Sequence, residues 1–362
     1  MVEQQDDISA FIQEHFYKEY LDGLKEFIRI PSLSPLYDPE WQTNKNLEKA
    51  IDHMISFGKA QDLQGATFTR LVDEGRSPFL IVDVAASNPE SKNQVLLYGH
   101  MDKQPFGDGW DTDPCEPVVK DGRLYGRGSS DDGYAFFASI LALKACQASG
   151  KPHPRCTITI EGSEEGEIHD LLHYMKNYKS LLGNPTVVFC LDAGSVDFTL
   201  MSSSSLRGYF DFDLNVNVAK NGVHSGMAGG IVPNPIWIAM HVLSRLVDFK
   251  TQEVIHPSFI VDIPDHVLQE TEAVAAKLGS MFNHFPMLEG VKSVSRKEQG
   301  SAEDILQNLI DNSWKAQFTI KGQTGIQPSE KCGNVVYKGV KFVCTMRLPP
   351  SIKPEEIKER VK

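Results

Sequence analysis

Apolar residues recur at helical spacing through the first sixty positions, with one interruption at Ile30-Pro31-Ser32-Leu33-Ser34-Pro35. Two amphipathic helices are expected around that break, because the two prolines stop helical continuation. Beyond it, short apolar runs alternate with helical stretches. Phe79–Val84 (FLIVDV) and Gln94–Tyr98 (QVLLY) read as strands, and Tyr134–Ala148 (YAFFASILALKACQA) as a mostly apolar helix. Cys156–Ile160 (CTITI) reads as a strand, Ile168–Tyr178 as a helix and Thr186–Leu191 (TVVFCL) as another buried strand. Strand and helix in alternation predict an α/β layer with a substantially parallel sheet.

The texture changes near Ser202–Ser205. From Leu206 to Val218 (LRGYFDFDLNVNV) apolar and polar residues alternate, as in a strand with one wet face. A helix is expected from about Pro235 to Phe249, a strand over Val340–Leu348, and a helix from Lys353, just after Pro349-Pro350. This describes a small α+β domain set into the larger α/β one. Residues 255–325 exceed what a minimal insert needs, and the pattern assigns them no place.

Composition narrows the function classes. A chain of 362 residues is long enough for two domains. Its 41% hydrophobic and 23% charged residues are ordinary for a soluble globular protein. The net charge of −12 opposes nucleic acid and anionic membrane as partners, since both repel it, and no basic cluster offsets this. None of the six cysteines forms a C-x-x-C pair, and those in VVFCLD and KFVCTM read as small buried hydrophobes. A reducing compartment fits. The N-terminus lacks a basic, then apolar leader, and no run approaches a membrane span, so the cytoplasm is the expected location.

Four segments carry candidate chemistry. Tyr98-Gly99-His100-Met101-Asp102 follows a strand, and residues two apart on extended chain share a face. Asp102 is therefore able to hold one imidazole nitrogen of His100 while the other binds metal. Alone, this spacing fits a hydrogen-bonded core histidine as well. Gly126-Arg-Gly-Ser-Ser-Asp131-Asp132-Gly133 opens the apolar helix, where paired acids also serve as cap and first-turn residues. Glu161-Gly-Ser-Glu164-Glu165-Gly-Glu167 ends a strand and reads alone as a solvated acidic loop. Asp192, after TVVFCL, reads alone as a turn residue. Together, three strands release acids or a histidine at their carboxyl ends, with an acidic pair between them. That edge is where open α/β sheets bind ligands. One imidazole with several carboxylates suits Zn²⁺ or Mn²⁺.

The order YGHMD, DGWDTDPCEPVVKDGRLYGRGSSDDG, EGSEEG and LDAG resembles metallopeptidase family 20, the group of carnosinases, cytosolic non-specific dipeptidases, glutamate carboxypeptidases, acetylornithine deacetylases and aminoacylases. The resemblance implies a three-layer α/β aminopeptidase-like catalytic domain, residues 1–203. It also implies an inserted α+β (ferredoxin-like) lid and dimerisation domain, residues 204–362. It implies two divalent metal ions, Zn²⁺ or Mn²⁺. His100 and Asp192 would hold one and Glu165 the other, with Asp131 bridging. Glu164 would be the general base toward a metal-bridging water, and Asp102 would orient His100. A cis peptide after the bridging aspartate is implied too. In the inserted domain, Gly222-Val-His224-Ser-Gly226 matches a motif whose histidine reaches the partner subunit's active site, so a homodimer with shared sites is implied. The other reading of His224 is a turn histidine capped by Ser225. Arg347 matches an arginine that grips the substrate carboxylate, for which a guanidinium fork is suited.

Two departures stand out. The family commonly has a lysine after the paired aspartates, where this chain has Gly133-Tyr134. The family also takes its last metal ligand from a histidine near the end of the chain. This chain stops at Lys362, and His241, His256, His266 and His284 do not match that motif. The expectation is either a truncated sequence or a second metal short of a ligand. The reading is thus a hydrolase of a dipeptide or small peptide, with an N-acyl amino-acid deacylase or carboxypeptidase as the alternative of the same chemistry. A non-catalytic scaffold is the competing class: the unmatched terminal ligand favours it, and the presence of every alignable ligand and of the base opposes it.

Overall fold

The structure is a computed structural model that describes residues 3–192, 194, 201–203, 205–295, 297–353, 356–357 and 360. The chain forms two compact units, Met1–Gly194 and Ser195–Lys362.

In the first unit, helix α1 (Glu3–His15) passes through a π-helical turn, Phe16–Tyr20, into α2 (Leu21–Arg29). The helix stops just before Ile30-Pro31. After a short α3 (Trp41–Asn44) comes α4 (Asn46–Ala60). Leu24, Phe27 and Ile28 of α2 and Leu47, Ala50, Ile51 and Met54 of α4 are buried, the three- and four-residue spacing of one helical stripe.

The strands are β1 (Ala66–Leu71), β2 (Phe79–Val84), β3 (Gln94–His100), a hairpin of β4 (Val118–Lys120) and β5 (Arg123–Tyr125), β6 (Arg155–Glu161) and β7 (Val187–Cys190). Helix α5 (Tyr134–Ala148) precedes β6, and α6 (His169–Asn177) and a short α7 (Lys179–Leu182) follow it. The main sheet has the order β1-β2-β6-β3-β7. At β2 both faces are covered. Leu80, Val82 and Val84 join the cluster built on α2, α4 and α5, while Phe79 and Ile81 meet Tyr174 and Leu182 of α6 and α7. Alternate side chains of one strand thus serve two layers, each buried large residue worth about 1.5–3 kcal/mol.

Two expectations change here. The sheet is only half parallel: β6–β3 and β3–β7 are parallel, whereas β1–β2 and β2–β6 are antiparallel. Strand β7 is not buried. Val187, Val188 and Phe189 are 45%, 53% and 52% exposed, and among the described residues β7 lies at the sheet edge, paired with β3.

In the second unit, β8 (Gly208–Asn217), β10 (Gln317–Thr324) and β12 (Gly339–Leu348) form an antiparallel sheet ordered β10-β12-β8. The short β9 (Val223–His224) pairs with β11 (Val335–Val336). After α8 (Ser225–Ala228), α9 (Pro235–Leu243) starts from Asn234, whose side chain accepts the N–H of Ile236, and packs Ala239 and Leu243 on Val340, Phe342 and Cys344. It ends six residues before the expected Phe249. The Asp248 carboxylate accepts the N–H groups of Lys250 and Thr251, a local turn that competes with helix. Within the span left unassigned lie α10 (Asp265–Leu278) and α11 (Ala302–Trp314), the latter capped by the Ser301 side chain on Asp304 N–H. The helix expected from Lys353 falls largely on residues outside the described set. No helix among the described residues is long and apolar enough to cross a membrane.

Candidate metal centre

Three parallel strands deliver the candidate ligands to one edge. In the β3–β6 register His100 lies opposite Glu161, and Leu191 N–H donates to the Tyr98 carbonyl at 3.0 Å, so Asp192 leaves β7 beside them. The fourth contribution is the loop before α5, where the Asp131–Asp132 peptide bond is cis, as the resemblance implies. Asp132 ties that loop to β3: its Oδ2 accepts the His100 backbone N–H at 3.1 Å. Gly99 permits the approach. A Cβ there would meet the Ala135 Cβ at 2.5 Å and Asp132 Oδ2 at 2.7 Å.

His100 is fully buried. Its Nδ1 lies 3.0 Å from the Asp102 carbonyl and 3.4 Å from Asp102 Oδ1. Its Nε2 faces Asp131 Oδ1 at 3.1 Å, Glu164 Oε2 at 3.8 Å and Asp192 Oδ2 at 3.8 Å, yet makes no well-directed hydrogen bond. The Asp102 carboxylate also accepts the N–H groups of Glu164 (3.1 Å) and Glu165 (3.0 Å). One buried acid therefore fixes both the imidazole and the acidic loop. Gln104 donates to Glu165 Oε2 at 2.6 Å, and the other oxygen of Glu165 is buried without a partner.

The electrostatics show how crowded the charges are. Burial raises Glu164, Asp192 and Glu165, the last to about 7, and neighbouring carboxylates add to the effect. Asp132, buried behind β3, rises to about 8 and Glu161 to about 7, both through burial first. Burial disfavours charge on His100, but the carboxylates of Asp102 and Asp131 outweigh it and push the imidazole up to about 12. Asp131 is lowered by the imidazole beside it. Such a cluster calls for positive charge.

Of the residues singled out by sequence, His100, Asp102, Asp131, Glu164, Glu165 and Asp192 come together. Donor atoms of His100, Asp131 and Asp192 lie within 4.8 Å of one another, as do those of His100, Glu164 and Glu165. His224 and Arg347 belong to the second unit. His224 Nδ1 accepts the Gly226 N–H at 3.1 Å, so the imidazole itself caps α8. Arg347, near the end of β12, lies with its guanidinium 5.2 Å from the Tyr209 ring centre. At Gly133, where the family pattern has lysine, a Cβ would meet the Phe27 ring at 2.3 Å and the Gly128 carbonyl at 2.4 Å, so a side chain has no room. Sequence reasoning passed over Gln104 and the lock made by Asp132. The one available signal was their adjacency to residues already singled out.

The model of peptidase family M20/M25/M40 matches residues 96–294, more than half of the 362-residue chain and the stretch that holds all the candidate ligands. The chain belongs to this family. Among M20 relatives, the Beta-Ala-His dipeptidase of Rattus norvegicus is 24% identical over 356 residues, covering 95% of this chain and 70% of its own length. The Cys-Gly metallodipeptidase DUG1 of Saccharomyces cerevisiae is 29% identical over 255 residues, 64% of this chain and 50% of its own, so the chain spans about half of that relative. Human carnosine dipeptidase 1 shares the fold with a TM-score of 0.69 at 22% identity, over 99% of this chain and 75% of that one. A metallo-carboxypeptidase of the M20 family from Sulfolobus solfataricus does so at 0.68 and 19%, over 95% and 74%. The fold is thus the α/β aminopeptidase-like one. Membership in M20 implies divalent metal ions, and the residues fit them. The buried His100 Nε2 and Glu165 Oε1 lie without hydrogen-bond partners among carboxylates, and once the imidazole gives up its proton both offer a lone pair to a metal.

Proposed function

We propose that this chain carries the catalytic centre of a metal-dependent dipeptidase, which hydrolyses the amide bond of a dipeptide or small peptide. The observation that carries the reading is the buried His100 Nε2, without a directed hydrogen bond and within 4 Å of carboxylates from three separate segments. The dipeptidase names of the relatives supply the substrate class. His100 and Asp192 would hold one divalent ion, Zn²⁺ or Mn²⁺, and Glu165 a second, with Asp131 serving both. When bound, such ions polarise the scissile carbonyl and make an intervening water more acidic. Glu164 takes the proton from the attacking water and passes it to the leaving amine. A carboxyl raised by burial suits both halves of that transfer. Asp102 holds His100 in one orientation, and Gln104 does the same for Glu165.

In the second unit, Arg347 is assigned the substrate carboxylate. With Nδ1 accepting from Gly226, the neutral His224 ring carries its proton on Nε2, the form that donates to a substrate carbonyl. The role assigned to it is in the partner's site of a homodimer. Six cysteines with no disulfide support a reducing, cytoplasmic setting. Metal content and dipeptide hydrolysis, measured on one preparation, test the reading. About two divalent ions per chain with turnover is the expected result, and a folded protein that retains none overturns it.

A further inference from the structure

Lys103 is a lysine without solvent: its residue is 0% exposed, among the largest buried side chains of the first unit. An ammonium in an apolar core costs several kcal/mol unless its charge and its N–H groups are satisfied. Here they are. Nζ donates to the carbonyls of Phe27 (3.0 Å), Ile28 (3.1 Å) and Ile30 (2.7 Å) and lies 4.3 Å from the centre of the Phe27 ring. Those carbonyls sit at the end of α2, where a helix leaves its last acceptors open and its dipole is negative. Three donors meet three acceptors.

The backbone around Lys103 is tied to the same segment. Ser34 N–H donates to the Lys103 carbonyl at 3.0 Å, Ser32 Oγ donates to the Met101 carbonyl at 2.8 Å, and Leu33 and Lys103 form a parallel bridge. The turn that carries His100 and Asp102 is therefore fastened by main chain and side chain alike. The loop that carries Asp131 rests on it as well. A Cβ at Gly128, where φ is +89°, would meet the Lys103 Cε at 2.6 Å, and one at Gly133 would meet Phe27. Burial lowers the pKa of the ammonium, Arg127 adds to that fall, and the acids of the metal centre are not among its causes. The influence of Lys103 on the centre is mechanical rather than electrostatic.

We infer that Lys103 is a positioning residue of the metal centre: by clamping the end of α2 it sets the turn through which Asp102 holds His100 and the Glu164–Glu165 backbone. This rests on the metal-centre reading above. Lys103→Met keeps the stem and removes the donors, and Lys103→Gln keeps two of them. Co²⁺ binding to the full chain, followed by its visible absorption and by titration well below the unfolding temperature, reports the centre without turnover. The expected result for Lys103→Met is Co²⁺ affinity weaker by about 10–100-fold, with a changed absorption band. Its kcat should fall while KM stays near wild type, and Lys103→Gln should lie between. A lower melting temperature in Lys103→Met with wild-type Co²⁺ affinity and band would overturn the inference and leave Lys103 a helix-end group only. If Lys103→Met does not fold, Lys103→Gln decides by the same two readings. Wild-type protein that binds no Co²⁺ would overturn the metal centre itself, a separate outcome.

Discussion

Asp102 faces His100 with Oδ1 3.4 Å from the imidazole Nδ1, while its two oxygens accept the backbone N–H groups of Glu164 and Glu165. The residue has no exposure of its own and supplies no atom to the proposed ligand groups. Its work is to make one rigid object of two loops that arrive from different strands. Asp102→Asn keeps the volume but turns one acceptor into a donor aimed at an N–H or at the imidazole. The expected result is metal affinity and turnover each lower by about 10–100-fold, measured by metal titration and dipeptide hydrolysis. Wild-type values for both would show that the loops hold themselves in place.

Glu164 is set apart from the other acids by what it is asked to do. Its carboxylate lies 3.8 Å from His100 Nε2, as Asp192 Oδ2 does, against 3.1 Å for Asp131 Oδ1, and the proposed role asks it to move a proton rather than hold an ion. Glu164→Gln should bind divalent ions like wild type and lose about 10²–10⁴-fold or more in kcat. A variant that keeps full turnover would remove Glu164 from the mechanism.

Much of this centre was legible because its scaffold is written in long apolar runs. FLIVDV, QVLLY, CTITI and YAFFASILALKACQA each carry enough buried side chains to force a strand or helix, and the acids follow at their ends. What stayed hidden depends on tertiary context. Strand β1 (ATFTRL) is short and half polar, and is held by its partner β2. TVVFCL is as apolar as a core strand but lies at an edge, a fact of topology that no window of residues contains. Lys103 is the sharpest case. A lysine in sequence reads as surface, and its burial follows from where α2 happens to end.

Glu161 yields a pH prediction for the metal-free protein. It is 2% exposed, accepts the Tyr98 hydroxyl at 2.6 Å, and burial raises it to about 7. In the unfolded chain a glutamate titrates near 4.3. Between these values the folded state holds the proton and the unfolded state does not, so stability falls as pH rises through this window. Asp132, raised to about 8, acts in the same direction. The melting temperature of metal-free protein should therefore drop from pH 5 to pH 8, and Glu161→Gln should flatten part of that slope. The Glu161 contribution is at most about 4 kcal/mol, because a tenfold change in proton affinity between the folded and unfolded chain is worth about 1.4 kcal/mol. An unchanged slope in Glu161→Gln would show that Glu161 is ionised in the folded state.

The proposed sharing of sites between subunits makes a prediction that neither unit makes alone. His224 is exposed on β9, with Nδ1 occupied by Gly226 N–H, so its ring is oriented before any substrate arrives. A His224→Ala subunit would lack the group donated to its partner, and a Glu164→Gln subunit would lack its own base. Each homodimer would be inactive in both sites. In a mixed dimer, one site would combine the intact Glu164 of the first subunit with the intact His224 of the second, and the other site would lack both. Random re-association makes half of all dimers mixed, each with one good site, so roughly a quarter of wild-type activity should return. Native mass spectrometry would establish that mixed dimers form. Their formation without recovered turnover would place His224 in its own subunit's chemistry or outside catalysis altogether.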